Sequence, residues 1–324
     1  MDSVSQALWG GLSSVASSRD TNVRQTFIWG AVGGTLPDLD AWIGALVGPL
    51  QERIWHRGPS HSLVLLGAIG ALILWRHRSH ASAMSSRLKH VWVGAFTHPF
   101  LDILTGFETG WGMPLVEPSA LGWFPVVEPV LFGLLFVVSI GCFVRRTRRG
   151  LALGLALIFG WIGLVGLHHQ WVIRGIEGSA SSVLPGGNII ARPMLGSFMT
   201  YRVVWSDDQR CAVAGYQPWK KGRQWSPTHV FERYQGSSTV DNAIGILSSR
   251  GCFRQLPDGS IGDLRFALTP DNPSPLWVWV LSESGWTREA RRDMNETDRA
   301  HFKSLWLGHE QLDWTSEPIA IEGY

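Results

Sequence analysis

Apolar residues fall in long blocks over the first 174 positions and in short runs after them. The blocks predict helices over about 4–18, 25–44, 61–76, 90–106, 127–144 and 151–173. The last two approach the ~20 apolar residues that a bilayer core requires. The first four are short or broken by Gly and polar positions, which suits tilted, re-entrant or cavity-lining helices. After Arg174 the pattern changes. Gly175–Gly187 reads as a small-residue linker. Strand-like runs follow at Tyr201–Trp205, Ala212–Tyr216, Val230–Tyr234, Ala243–Leu247, Leu264–Leu268 and Leu276–Leu281. Pro257-Asp258-Gly259 and Pro270-Asp271-Asn272-Pro273 are turn signals between them, and the polar stretch Arg288–Leu307 predicts a helix. The expected fold class is an all-α polytopic membrane helical domain of about 4–6 spans over 1–174, followed by a small β-rich soluble domain over 175–324.

Charge sharpens this division. Nine of the 26 acidic residues precede Arg174, and the rest follow it. Ten of the 13 Lys and Arg in the first half fall between predicted helices one and two, three and four, or five and six. In an up-and-down arrangement that is one side, which the positive-inside rule assigns to the cytoplasm. The chain then starts outside and the C-terminal domain is extracytoplasmic. No cleavable signal peptide is expected, because a charged start followed by a long apolar run is missing. Cys142 lies within an apolar run and predicts a buried thiol. Cys211 and Cys252 could pair in an exported domain.

On this map most acids and several histidines gather at the outer side. Three segments stand out: Pro37-Asp38-Leu39-Asp40, His56-Arg57-Gly58-Pro59-Ser60-His61, and His98-Pro99-Phe100-Leu101-Asp102. Ionisable groups in a bilayer are costly and mark function by default. His98 and Asp102 are four apart, so a helix projects them from one face. They could ligate an ion or simply satisfy each other. Pro37 should interrupt its helix and aim Asp38 and Asp40 at a shared space. Such carboxylates repel unless a cation or proton lies between them, although one of them could instead cap the next helix. Gly58-Pro59 favours a turn that brings His56 and His61 together, with Ser60 able to cap the following helix. Arg57 could clamp an anion bidentately or hold lipid head groups. Glu128, before Pro129, could be a general base, a ligand or a helix N-terminal carboxylate. Asp2 and Gln6 lie one turn apart and could complete the site or stay solvated.

Several function classes are excluded. The chain lacks a phosphate loop, a nucleophile elbow and a Cys-x-x-Cys pair. No basic stripe interleaved with aromatics is present, so nucleic acid is not an expected partner.

These motifs together resemble the YdjM-type inner-membrane metal-dependent hydrolases. The resemblance is carried by Asp2…Ser5-Gln6, Gly34–Asp40, His56–Ser62, Thr97–Asp102 and Glu128-Pro129. It covers the membrane half and extends towards Pro193–Trp205. Glu128 stands where relatives more often carry Asp, and Phe107–Gly110 departs from the usual Tyr-Gly-Thr. The family is distantly similar to zinc-dependent phospholipase C. The resemblance implies a metal-dependent hydrolase of the inner membrane with His98 and Asp102 as ligands; joined to the motifs above, it gives an expected site in which Asp38, Asp40, His56, His61, His98 and Asp102 hold one or more Zn²⁺-like ions. In that site Glu128 or a ligand carboxylate would take a proton and Arg57 would stabilise anionic charge; the analogy, the arginine and the membrane location together make a phosphoester of the lipid head-group kind the expected substrate. The alternative is a non-catalytic protein whose polar cluster staples helices and whose soluble domain binds an envelope partner.

Overall fold

The computed structural model describes residues 1–47, 55–76, 83–145, 147–179, 183–184, 186–194, 199–220, 225–226, 228–233, 252–255, 260–265, 277–282, 285–290 and 320–322. It divides into two compact units, Met1–Leu167 and His168–Tyr324.

The first unit is helical. Helix α1 (Ser3–Ser17) starts where Asp2 accepts from the Ser5 amide, and α2 (Val23–Thr35) starts on the Asn22 cap. Pro37 follows a turn closed by Leu36 N–H to the Gly33 carbonyl, and a short helix α3 (Leu39–Val47) leads away. The predicted segment 25–44 is therefore two helices with a break at the proline, as its rigid ring demands. A single 3₁₀ turn at Pro59–His61 precedes α4 (Leu63–Arg76). Helix α5 (Ala83–Ile103) begins seven residues before the predicted start of its segment and carries Pro99 internally. Helices α6 (Pro129–Arg145) and α7 (Arg148–Ser179) complete the set.

Among the described residues, α7 is the one helix long and apolar enough to cross a membrane, over Arg148–Gly178. Helices α4 and α6 are shorter and apolar. All three expose apolar side chains, such as Leu72 on α4, Val137 on α6 and Leu153 on α7. Exposed apolar faces of this extent mark surfaces that contact lipid or another apolar partner. The interior is built from Leu12, Leu101, Leu104, Phe124, Leu131, Leu135 and Ile158.

Helices α1, α2 and α5 meet backbone to backbone through glycine. A Cβ at Gly94 of α5 would lie 2.0 Å from the Gly30 carbonyl oxygen, and one at Gly10 of α1 would lie 2.5 Å from the same atom. Small residues permit this closeness, which brings the three backbones into van der Waals contact.

The second unit is made of strands that follow the end of α7. One sheet has the order β1 (Asn188–Pro193), β2 (Tyr201–Ser206), β3 (Arg210–Tyr216), β4 (Thr228–Glu232), β9 (Ala320–Glu322); it is antiparallel except for the β4–β9 pair. The other is an antiparallel meander of β5 (Phe253–Gln255), β6 (Ile261–Asp263), β7 (Trp277–Ser282) and β8 (Gly285–Ala290). Every residue of β2 is buried, so both of its faces are covered. Tyr201, Val203 and Trp205 pack with Val172 and Ile176 of α7, while Val204 packs with Cys211, Phe231 and Cys252. Cys211 and Cys252 form a disulfide.

Some expectations need correction. Helix α7 runs to Ser179, into the predicted linker, because Val172 and Ile176 are core residues that keep the chain helical. Arg288–Ala290 are strand, since β7 supplies backbone partners for a stretch whose polarity suggested helix. Leu264 and Arg265 form a turn after β6 rather than the start of a strand. Ala243–Leu247 and the remainder of the predicted 288–307 helix lie outside the described residues.

Candidate metal centre

Four of the six predicted ligands converge. Asp38, His61, His98 and Asp102 each offer one donor atom, and these atoms lie within 4.8 Å of one another. The break after α2 delivers Asp38, the 3₁₀ turn delivers His61, and one face of α5 delivers His98 and Asp102. Both imidazoles are fully buried, Asp102 is nearly so, and the Asp38 side chain is 22% exposed.

Proton accounting shows what the cluster requires. His98 Nδ1 lies 2.6 Å from the Gly34 carbonyl oxygen, which can only accept. His98 Nδ1 therefore carries the hydrogen, and a neutral ring leaves Nε2 bare. His61 Nδ1 faces the Asp40 carboxylate at 3.3 Å, which fixes the same tautomer. The two Nε2 atoms then point at each other at 3.0 Å. Asp38 Oδ1 lies 3.5 and 3.3 Å from them, and Asp102 Oδ2 lies 3.2 and 3.4 Å away. Two lone pairs and two carboxylate oxygens in a buried space need a positive charge between them.

Without a metal, a proton meets that need. Burial alone would lower the His61 pKa, but hydrogen bonds with Asp102, Asp38 and Asp40 push it up to about 10. Burial would likewise raise Asp38, yet His61 and His98 hold it well below the usual carboxylate range. Two imidazoles and two carboxylates also match a borderline divalent ion such as Zn²⁺. The residues present therefore fit a metal.

The surrounding groups orient these donors. Asp102 Oδ1 accepts from Gln6 Nε2 at 2.9 Å, from the Met1 nitrogen, and from Arg57 Nη2 at 3.2 Å. Asp102 Oδ2 is engaged by none of these orienting groups and faces the two imidazoles of the cluster. Asp40, expected as a ligand, stands one layer back. Its Oδ1 meets His56 Nδ1 at 2.8 Å, and its Oδ2 takes the Arg57 amide at 3.2 Å and the Ser60 hydroxyl. An Asp40–His61 pair of this kind fixes ring orientation and raises ligand basicity. His56 is separated from the four-donor group, with its ring centre 5.8 Å from that of His61.

Arg57 is buried, and it does not reach outwards. Its Nη1 donates to Thr105 Oγ1 at 2.9 Å and to the Phe107 carbonyl at 3.3 Å, and its guanidinium lies over the Phe107 ring. Its backbone has φ 64°, a left-handed conformation that costs a side-chain-bearing residue ~1–2 kcal/mol. The Asp40 and Gly110 contacts hold it there. Glu128 caps α6, accepting from the amides of Val130 and Leu131 and from Trp161 Nε1. Asp2 caps α1. Ser62 rather than Ser60 caps α4, through the Leu65 amide.

Two contributors were not legible as site residues, the Gly34 carbonyl and Thr105, whereas Gln6 was a candidate and orients Asp102. The Asp2…Ser5-Gln6 motif pointed at Gln6, but nothing in sequence signals a backbone carbonyl.

The family model for the YdjM inner membrane protein matches residues 1–172, which is more than half of the 324 residues. The chain belongs to that family. The match contains every site residue above and ends before Pro193–Trp205. No curated protein matches the chain.

Proposed function

We propose that this YdjM-family protein is an integral inner-membrane hydrolase that uses a divalent ion, Zn²⁺ by donor type, to cleave a phosphoester of the lipid head-group kind. The observation that carries this reading is the pair of imidazole Nε2 atoms 3.0 Å apart between two carboxylates in a buried site. Asp38, His61, His98 and Asp102 would hold the ion. A bound ion of this kind lowers the pKa of water towards ~7 and polarises a phosphoryl oxygen. Gly34, Asp40, Gln6 and Arg57 keep the donor atoms aimed inward. Arg57 acts through Asp102 rather than on substrate. His56, 24% exposed and bonded through Nδ1 to Asp40, is better placed than Glu128 to accept a proton. Asp38 supplies the partly exposed side from which a substrate would approach.

Charge asymmetry further suggests that the site faces outwards and that the sheet unit is extracytoplasmic. The Cys211–Cys252 disulfide suits that compartment.

A structural metal is the second reading, favoured by the near-complete burial of three of the four donors. Four protein ligands can close a shell, whereas catalysis needs an open position. The deciding experiment uses protein purified in detergent. Bound metal is measured by mass spectrometry, and phosphoester hydrolysis is compared for wild type, His98→Ala and Asp102→Asn. Hydrolysis that needs metal and is lost in both variants supports the enzyme. Metal-free wild type that hydrolyses as fast as the loaded form overturns it, and metal-loaded protein inert towards every phosphoester class points to the structural role.

A further inference from the structure

A cavity of about 510 Å³ lies at the far end of α1 from the metal centre. The end of α1, the start of α2, the end of α6 and the start of α7 line it and leave it half open. Gln6, beside Asp102, and Val15, on the cavity wall, are nine residues apart on α1, which is about 13 Å along the axis. The two sites are separate.

The cavity is built in two zones. Val15, Cys142, Leu151 and Leu155 make an apolar wall. Arg19 and Arg148 stand exposed at the rim. Arg148 Nη2 donates to the Ser18 carbonyl at 3.4 Å, which ties the two rims and leaves other guanidinium donors available. Helices α2 and α7 both start here, so their partial positive charges add to the arginines. Asp20 is the one acid among the described lining residues; its carboxylate accepts from the Asn22 amide at 3.1 Å and its charge offsets one arginine, so the rim stays net positive. Among the described residues, the lining holds no aromatic ring on which a nucleobase could stack.

We propose that this cavity binds an anionic phospholipid, with its phosphate against Arg19 and Arg148 and the start of one acyl chain against the apolar wall. A cationic rim over a hydrocarbon wall matches an anionic amphiphile better than a wholly polar ion. The volume falls in the usual range of about 300–1,000 Å³ for small-molecule sites. It accommodates a head group and part of one chain, with the rest of the lipid lying in the bilayer. The inference uses only the protein's membrane location and is independent of hydrolysis.

The test is a binding titration on the delipidated full-length protein in a neutral detergent, read by thermal unfolding and native mass spectrometry. Phosphatidylglycerol is expected to bind saturably and raise the unfolding temperature. Phosphatidylcholine and inorganic phosphate are expected to bind at least tenfold more weakly. The double variant Arg19→Gln/Arg148→Gln, both sites being exposed and compatible with folding, should lose phosphatidylglycerol affinity by about tenfold or more while its metal content stays at the wild-type level. Equal binding of phosphatidylcholine, or undiminished affinity in the double variant, overturns the proposal. Inorganic phosphate that matches the lipid would mark a free-anion site instead and would also overturn it.

Discussion

Replacing Gly94 by alanine should dismantle the candidate metal centre without touching any of its four donor residues. Gly94 lies one helical turn before His98 on α5. Its Cβ would stand 2.0 Å from the Gly30 carbonyl oxygen and 2.7 Å from the Gly34 amide nitrogen. Ordinary carbon–oxygen contact is about 3.3–3.6 Å, so α5 and α2 must part by roughly 1.3 Å. Both obstacles are backbone, so no rotamer change relieves them. Overpacking of this kind costs about 1–3 kcal/mol, partly offset by the ~1 kcal/mol that alanine contributes to helix propensity over glycine. The site suffers more than the fold. His98 is aimed by the Gly34 carbonyl and Asp38 follows α2, so the same separation pulls His98 and Asp38 apart. Metal sites tolerate only about 0.2 Å of error in ligand distance. The variant is therefore expected to fold, with a lowered melting temperature, and to retain little metal after dialysis against a weak chelator. Gly160→Ala on α7 is the control, because among the described residues nothing lies within 4 Å of that Cβ. It should keep its metal and melt at or above the wild-type temperature. A Gly94→Ala protein with wild-type metal content and melting temperature would refute the reasoning.

Metal loading should release protons. His61 of the metal-free site is pushed up to about 10 and must lose its proton to ligate. Zn²⁺ added at pH 7.5 in weak buffer should acidify the solution, with affinity rising up to about tenfold per pH unit for each proton displaced; loading without acidification would contradict the assignment. The linkage for folding runs the other way: the folded pKa of His61 is raised above 6.5, so its contribution to metal-free stability is complete below that pH and fades as pH climbs towards 10. Arg57→Lys keeps the charge and loses the fork that spans Asp102, Thr105 and Phe107. Metal affinity in a chelator competition should fall about 10–100-fold, as for other groups that orient ligands, and wild-type affinity would sink the positioning role. Reducing the Cys211–Cys252 bond, which closes 41 residues of separation, should cost the sheet unit about 4 kcal/mol on the chain-entropy estimate. Urea unfolding followed by tryptophan fluorescence, with and without reductant, measures this, and coincident curves would show that the bond contributes nothing.

Much of the helical half was legible because its signals are local. Apolar blocks fixed the existence of α1, α4, α6 and α7, and Pro37 marked the break between α2 and α3. The i, i+4 spacing put His98 and Asp102 on one face of a helix. The strand half was less legible. Strands β2, β3 and β7 alternate or run apolar and were found, whereas β1, β5 and β8 exist because a neighbour supplies hydrogen-bond partners. That information is non-local, and propensity does not carry it.

The sequence alone determined which residue types gather, on which helices, and that they suit a divalent ion. It could not rank them. Asp38 and Asp40 are two residues apart, as alike as any pair in the chain, yet one enters the four-donor group and the other supports it from behind. His56 and His61 divide in the same way, and Arg57 and Glu128, both readable as reactive, turn inwards to hold a carboxylate and a helix end. Only tertiary structure decides such roles, because they depend on which oxygen or nitrogen is already engaged by a neighbour distant in sequence. A hydrogen bond donated to the Gly34 carbonyl, or received from Gln6 or Arg57, occupies one atom of a side chain and leaves the other atom facing the cluster.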